Sequence, residues 1–216
     1  MERRSSEVIH GRGATANPTG RFESERVLPF DDGWSDEEVL PVPLQTVVQE
    51  ELARSILSSN RSPDVPFDRS LNPYRGCEHG CIYCFARPTH AFLGLSPGLD
   101  FETRLVAKPG AAALLRRELS RPSYRPTVIA LGANTDPYQP IERDREITRS
   151  VLQVMVEFGQ PVTIITKSSL VLRDLDLLVE LARKNLVRVL ISVTTLDPGL
   201  ARHLEPVSGV RRVPLV

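Results

Sequence analysis

The chain has 216 residues, of which 41% are hydrophobic and 25% are charged, and these proportions are ordinary for a globular protein. Its 27 basic and 27 acidic side chains cancel, so the net charge gives no reason to expect nucleic acid or an anionic membrane as a partner. The sequence has no run of about 18 apolar residues that could span a membrane. Residues 1–5 lack the apolar segment of a secretory signal. We therefore expect a cytoplasmic protein with no membrane partner.

Residues 1–62 differ in composition from the rest of the chain and are expected to form an irregular N-terminal extension that is partly disordered. Within it, residues 11–20 are small, polar and turn-forming, which predicts an extended or mobile segment. Residues 45–58 carry apolar side chains at helical spacing, which predicts a short helix. Residues 63–216 are predicted to form the main domain.

In this main domain, short apolar runs alternate with amphipathic stretches. The runs of β-branched residues predict buried strands, and the 3.6-residue spacing of apolar side chains predicts helices. The predicted strands cover 71–75, 127–131, 162–166 and 187–193, and the predicted helices cover 111–119, 147–158 and 170–183. Such alternation implies parallel strands flanked by helices, in either a doubly wound sheet or a (β/α) barrel. In both folds the functional residues lie at the C-terminal ends of the strands.

The three cysteines of the chain lie on one short loop, as Cys77, Cys81 and Cys84. An odd number of clustered thiols in a reducing compartment does not suit a disulfide framework and suggests a metal site. Three thiolates on one loop can converge on a [4Fe–4S] cluster, and Gly76 and Gly80 let the backbone bend around it. One iron would then have no protein ligand and could bind a substrate or cofactor. A ferredoxin would instead bind all four irons with cysteine.

Two alternatives compete with a cluster. A zinc ion could be held by the three thiolates and either His79 or His90. Zinc sites usually combine two short pairs of ligands, however, and the spacing within this one loop is poorly suited to tetrahedral coordination. The three thiols could also be unrelated buried side chains, although the loop around them is polar and rich in glycine.

The loop Cys77-Glu78-His79-Gly80-Cys81-Ile82-Tyr83-Cys84 resembles the CxxxCxΦC signature of radical S-adenosylmethionine (SAM) enzymes. The surrounding sequence resembles the bacterial radical SAM subfamily related to spore photoproduct lyase. The matching strings are NPYRGC (72–77), CFARPTH (84–90), TDPYQPIE (135–142), ITKS (165–168) and SVTTLD (192–197). Residues 11–23 also resemble the N-terminal extension of that subfamily, and the resemblance continues to about Pro206.

This resemblance implies a partial (β/α) barrel of the TIM type and a defined chemistry. A reduced [4Fe–4S] cluster would cleave SAM to methionine and a 5′-deoxyadenosyl radical, which would abstract hydrogen from an unidentified substrate. It also implies an external one-electron reductant of the flavodoxin or ferredoxin type. Nucleic acid is a possible partner by analogy with the lyase alone. Two alternatives remain: a non-catalytic iron–sulfur or zinc-binding remnant, and a DNA repair enzyme like photoproduct lyase.

By position, the resemblance assigns the iron ligands to Cys77, Cys81 and Cys84. It places Tyr83, which follows Ile82 in the signature, near the adenine of SAM. The alternative role for Tyr83 is simple packing. His90, Arg87 and Arg75 are interpreted as residues that brace the loop.

The remaining candidate residues follow three predicted strands. The resemblance implies that Asn134, Thr135 and Asp136 contact the methionine amino group or the ribose, although an aspartate before proline also starts turns. Lys167 would pair with the methionine carboxylate, and Ser192 would hydrogen-bond the same group. The alternative roles are a surface lysine and a serine that satisfies only the backbone.

Only about four β/α units fit before residue 216, whereas the family usually has six strands. We therefore expect a barrel that is incomplete at the C-terminus, as in a truncated or frameshifted product or a fragment. Such a barrel would have exposed strand edges and exposed apolar helix faces, which would make it unstable or dependent on a partner.

Overall fold

The structure is a computed structural model, and it describes residues 11–24 and 45–207. The expectations for residues 1–5 and for the chain end after residue 207 fall outside these ranges. The strands are β1 (Val47–Glu50), β2 (Leu57–Ser59), β3 (Arg69–Leu71), β4 (Tyr74–Arg75), β5 (Arg104–Ala107), β6 (Ile129–Leu131), β7 (Val162–Thr166) and β8 (Val187–Ile191). The helices are α1 (Leu99–Thr103), α2 (Ala111–Leu119), α3 (Glu142–Arg145), α4 (Ile147–Phe158), α5 (Leu175–Arg183) and α6 (Pro198–Leu204), and 3-10 helices cover Arg87–Leu93 and Ser169–Asp174.

A five-stranded sheet in the order β2-β3-β6-β7-β8 forms the centre of the fold. Strands β3, β6, β7 and β8 run parallel, and β2 pairs antiparallel with β3 at the outer edge. Each parallel strand joins the sheet beside the previous one, so the strand order never reverses as it does in a doubly wound sheet. This winding is that of a (β/α) barrel. The predicted partial barrel is confirmed, and within the described ranges the sheet does not close into a ring.

A second sheet has three strands in the order β1-β5-β4. Strand β5 pairs parallel with β1 and antiparallel with β4. Because β4 directly precedes the cysteine loop, this small sheet holds the start of that loop beside the main sheet.

Several predicted elements are confirmed at their boundaries, including the helices α2 and α4 and the strand β7. The predicted strand 127–131 begins at Ile129, and the predicted strand 187–193 ends at Ile191. The predicted helix 170–183 is divided into a 3-10 helix and α5. The division comes at Asp174, a buried carboxylate that is engaged by the guanidinium groups of Arg149 and Arg173.

Two element predictions are wrong. Residues 45–58 form no helix but supply β1 and β2, because pairing with β5 and β3 outweighs a weak helical pattern. The predicted strand 71–75 is split between the two sheets, since Leu71 ends β3 and Tyr74 begins β4. Pro73 lies between them and has no backbone N–H to continue a ladder. Helix α6 was not predicted.

The hydrophobic core lies between the main sheet and the helices α2, α4 and α5. Sheet residues such as Leu131 and Ile164 pack against Leu115, Leu152 and Met155 of the helices, and all five are buried. Strand β8 differs from the inner strands because most of its side chains are exposed. In the parts of the chain that are described, no helix has the length and apolar character needed to cross a membrane.

A buried carboxylate, Glu142, connects the second sheet to the helices. It accepts hydrogen bonds from the Tyr74 hydroxyl, from the Thr148 backbone N–H at 2.9 Å and from the Arg173 guanidinium at 2.7 Å. Glu142 and Tyr74 are both fully buried. Since Tyr74 lies three residues before Cys77, this network fixes the strand from which the cysteine loop starts.

We predict that Glu142→Ala lowers the free energy of unfolding by about 3 kcal/mol, because it leaves buried cationic and hydroxyl donors without their acceptor. Urea denaturation of the purified chain would measure the change. Glu157→Ala is a matched control, since Glu157 also pairs with an arginine, Arg116, but at an exposed position. Equal losses of unfolding free energy in the two variants would contradict the role of Glu142 as a stabilising buried acceptor.

Candidate functional site

One cavity opens at the C-terminal ends of β6, β7 and β8, beside the cysteine loop. All nine residues predicted for the site line it, although they come from four separate parts of the chain. They are Cys77, Cys81, Tyr83, Cys84, Asn134, Thr135, Asp136, Lys167 and Ser192. His79, Phe85, Gly132, Ile165 and Thr166 complete the lining. The structure therefore brings the predicted residues together, and their roles remain predictions.

The cysteine loop has no regular secondary structure, and neighbouring segments bind its backbone. The Cys77 N–H donates to the Phe101 carbonyl at 2.9 Å, and the Ile82 N–H donates to the Leu204 carbonyl at 3.1 Å. The buried Gln139 side chain binds on both sides of Cys77, accepting from the Glu78 N–H at 3.0 Å and donating to the Gly76 carbonyl at 3.2 Å. These contacts set the path of the loop.

The three thiols differ in exposure. Cys77 and Cys81 are buried, and Cys84 is partly exposed. Burial raises the pKa of Cys81 to about 12, although the nearby Lys167 ammonium acts in the opposite direction. Burial also raises the pKa of Cys84. Binding of iron would displace the thiol protons, because the ligand is the thiolate.

This donor set fits an iron–sulfur cluster better than a single zinc ion. Three thiols face one cavity, and the chain has no fourth cysteine. Within the described ranges, no three His, Cys, Asp or Glu side chains meet closely enough to hold one metal ion. Of the two candidate zinc ligands, His79 lines the cavity with its Nδ1 3.4 Å from the Asp136 carboxylate, and His90 Nε2 lies 3.0 Å from the Arg104 carbonyl.

Asp136 joins the end of β6 to the end of β7. Its carboxylate accepts hydrogen bonds from the Thr166 hydroxyl at 2.6 Å, the Lys167 N–H at 2.8 Å and the Tyr138 N–H at 2.9 Å. Burial alone would raise the pKa of Asp136, but His79 and these donors hold it below its usual value. Burial alone would lower the pKa of His79, but Asp136 and Cys77 raise it to about 10. Asp136 is thus an ionised cross-link between two strands.

The neighbours of Asp136 differ in how far their side chains are engaged. The Thr135 hydroxyl is buried and donates to the Tyr74 carbonyl at 2.8 Å. The Asn134 backbone N–H donates to Asn72 Oδ1 at 3.0 Å, while its carboxamide makes no hydrogen bond to any described residue. Gly132 has a positive φ of 87°, and a Cβ there would lie 2.3 Å from the Ile165 carbonyl oxygen. Only glycine lets this strand end lie so close to β7.

Lys167 lines the cavity, and acceptors surround its ammonium group. Nζ lies 3.0 Å from Glu205 Oε1, 3.1 Å from Ser192 Oγ and 3.3 Å from the Tyr83 hydroxyl. Three acceptors match the three N–H donors of a lysine. Burial alone would lower the pKa of Lys167, but Glu205 and Cys81 raise it.

Glu205 is a site residue that was not identified from the sequence. It is buried, and besides Lys167 it accepts hydrogen bonds from the Tyr83 and Thr194 hydroxyls. Burial alone would raise its pKa, but these three donors lower it. No sequence pattern marks Glu205, because it follows α6 and reaches the cavity only through the fold.

The comparisons with known proteins agree with this geometry. The family model described as the radical SAM superfamily matches residues 71–213, which include the cysteine loop and the strands β6, β7 and β8. An uncharacterized protein of Mycobacterium tuberculosis is 45% identical over 72% of this chain and 46% of its own length. An uncharacterized protein of Methanocaldococcus jannaschii is 28% identical over 64% of this chain and 49% of its own length. The chain spans about half the length of the curated relatives it matches.

Among solved structures, spore photoproduct lyase complexed with a dinucleoside spore photoproduct matches with a TM-score of 0.50 and 18% sequence identity. The match covers 74% of this chain and 43% of the lyase chain. At this identity the likeness concerns the fold alone. The predicted family and fold class are thereby confirmed, and the chain belongs to the radical SAM superfamily.

Proposed function

We propose that the chain is a radical SAM enzyme that holds a [4Fe–4S] cluster on Cys77, Cys81 and Cys84. The observation that carries this proposal is that three thiols and the cofactor residues predicted from separate strands line one cavity. When bound, the cluster and SAM supply a one-electron cleavage that yields methionine and a 5′-deoxyadenosyl radical. The contribution of the chain is to bind, orient and shield these groups.

The strand ends offer SAM a polar binding surface. Lys167 and Ser192 are proposed to bind the methionine carboxylate. Because all three Lys167 donors are engaged, that carboxylate has to replace one present acceptor, such as Glu205. The carboxamide of Asn134 is proposed to meet the amino group or ribose. Thr135 and Asp136, whose polar atoms bind protein neighbours, are proposed to contribute mainly by holding that strand end in place.

Tyr83 is proposed to pack near the adenine. Its side chain is half exposed and lines the cavity, and its hydroxyl is held by Glu205 and Thr194. Burial, followed by the hydrogen bond to Glu205, raises the pKa of Tyr83. The Tyr83 hydroxyl therefore stays protonated at physiological pH. Its hydrogen bond to Glu205 fixes the orientation of the ring.

An external one-electron reductant of the flavodoxin or ferredoxin type is proposed as a partner, and the cytoplasm as the compartment. The solved lyase structure is a complex with a dinucleoside spore photoproduct. The balanced charge of this chain gives no electrostatic support for a nucleic-acid substrate. A non-catalytic iron–sulfur protein is the competing function.

Anaerobic reconstitution with iron and sulfide tests the cluster. We expect about four irons per chain and a brown chromophore. The variant with Cys77→Ala, Cys81→Ala and Cys84→Ala should bind no iron and develop no chromophore, and it serves as the blank. Addition of dithionite and SAM should then release 5′-deoxyadenosine from the wild type. Tightly bound zinc without a chromophore would contradict the proposal, and a cluster that releases no 5′-deoxyadenosine would favour the non-catalytic alternative.

Lys167→Met tests the carboxylate anchor. Loss of a charge-assisted hydrogen bond should weaken SAM binding by roughly 10-fold to 100-fold. Equilibrium dialysis with labelled SAM would measure the affinity, and the iron content would show that the cluster is retained. Lys184→Met, at an exposed position after α5, is the matched control and should bind SAM like the wild type. Unchanged affinity in Lys167→Met would remove Lys167 from the SAM site.

A further inference from the structure

Residues 11–24 contain no helix or strand, and one of them, Gly13, lies against the cysteine loop. The tightest contact is between Gly13 and Gly80, the residue before Cys81. A Cβ built on Gly13 would lie 1.7 Å from the Gly80 carbonyl oxygen and 3.1 Å from the Ile82 side chain. Two glycines thus allow two backbones to approach directly beside a proposed iron ligand.

The buried carboxylate of Glu102 binds this segment. It accepts hydrogen bonds from the Gly13 N–H at 3.0 Å and the Ala14 N–H at 2.9 Å, and the exposed fraction of Glu102 is 0%. The Arg12 guanidinium donates to the Glu102 backbone carbonyl at 2.9 Å. The side chain and the backbone of Glu102 together therefore bind three consecutive residues of the segment, 12–14.

The same carboxylate binds Arg87, and Arg87 binds the cysteine loop. Arg87 Nη2 lies 2.5 Å from Glu102 Oε1. The guanidinium also donates two hydrogen bonds to the Cys81 carbonyl, at 3.1 Å from Nε and 2.9 Å from Nη2. A continuous path of hydrogen bonds thus joins the segment, through Glu102 and Arg87, to the backbone of Cys81.

The far end of the segment is also bound. The Leu99 N–H donates to the Ala16 carbonyl at 3.1 Å, and the Ser96 hydroxyl donates to the Pro18 carbonyl at 2.6 Å. The Asn17 carboxamide donates a hydrogen bond to the Asp100 carboxylate and accepts one from the Asp100 backbone N–H. The segment is therefore anchored on both sides of its contact with Gly80.

We propose that residues 12–18 are a strap that holds the Cys81 side of the loop in the conformation that binds iron, with Glu102 and Arg87 as positioning residues. This inference rests on the proposed cluster function. Buried ion pairs contribute little net stability once desolvation is included. Hydrogen bonds from behind a metal ligand, in contrast, orient the ligand and commonly change metal affinity by about 10-fold to 100-fold when removed.

Gly13→Ala in the full chain tests the strap, because the added methyl group cannot fit against the Gly80 carbonyl. Gly110→Ala is the matched control, since a Cβ there meets no atom within 4 Å. After anaerobic reconstitution, the loss of the chromophore in air should be roughly 10-fold faster in Gly13→Ala than in the wild type or the control. Hydrogen exchange of residues 77–84 in the iron-free chain should also be faster in Gly13→Ala alone.

Arg87→Lys is the second variant, in case Gly13→Ala fails to fold. Lysine keeps the positive charge beside Glu102 but lacks the planar fork that binds the Cys81 carbonyl twice. Faster cluster loss with an unchanged melting temperature would support positioning over general stability. Cluster lifetime and hydrogen exchange equal to the wild type in both variants would overturn the strap. If the wild type assembles no cluster, the proposed function fails, and hydrogen exchange still decides whether the strap holds the loop.

Discussion

The backbone of the cysteine loop has to be bound by the rest of the protein, because a loop without helix or strand pairs few of its buried N–H and C=O groups with each other. The Phe101 carbonyl, the Gln139 carboxamide, the Arg87 guanidinium and the Leu204 carbonyl each bind a different point between Gly76 and Cys84. These partners come from parts of the chain far apart in sequence. The barrel frame therefore holds the loop that carries the three thiols.

Charge in the cavity is arranged around Lys167, which pairs with the Glu205 carboxylate and interacts electrostatically with Cys81. The cation opposes the effect of burial on the Cys81 pKa, and Glu205 and Cys81 in turn favour the charged lysine. Asp136 is a further ionised group, and it is held by the ends of β6 and β7. The charge of a proposed SAM contact, Lys167, thus depends on a proposed metal ligand, Cys81, and the pKa of Cys81 depends on Lys167.

Prediction from the sequence succeeded where the pattern was local and long. Helix α4 and strand β7 were correctly bounded, because each presents a full apolar stripe or run to the core. It failed where pairing with a distant strand decided the conformation, as in residues 45–58. The division of the helix at Asp174 also depends on two arginines, one of them on another helix.

From the sequence alone, the resemblance to the radical SAM signature determined the family and the metal ligands to propose, and the short apolar runs marked the strand ends that carry polar residues. Only the tertiary structure showed that Glu205 engages Lys167 and that Glu102 ties residues 12–14 to the cysteine loop. It also decided for barrel winding over a doubly wound sheet, through the order of the strands. Such contacts join residues that lie far apart in the chain, and no local pattern encodes which distant side chain will meet a given backbone.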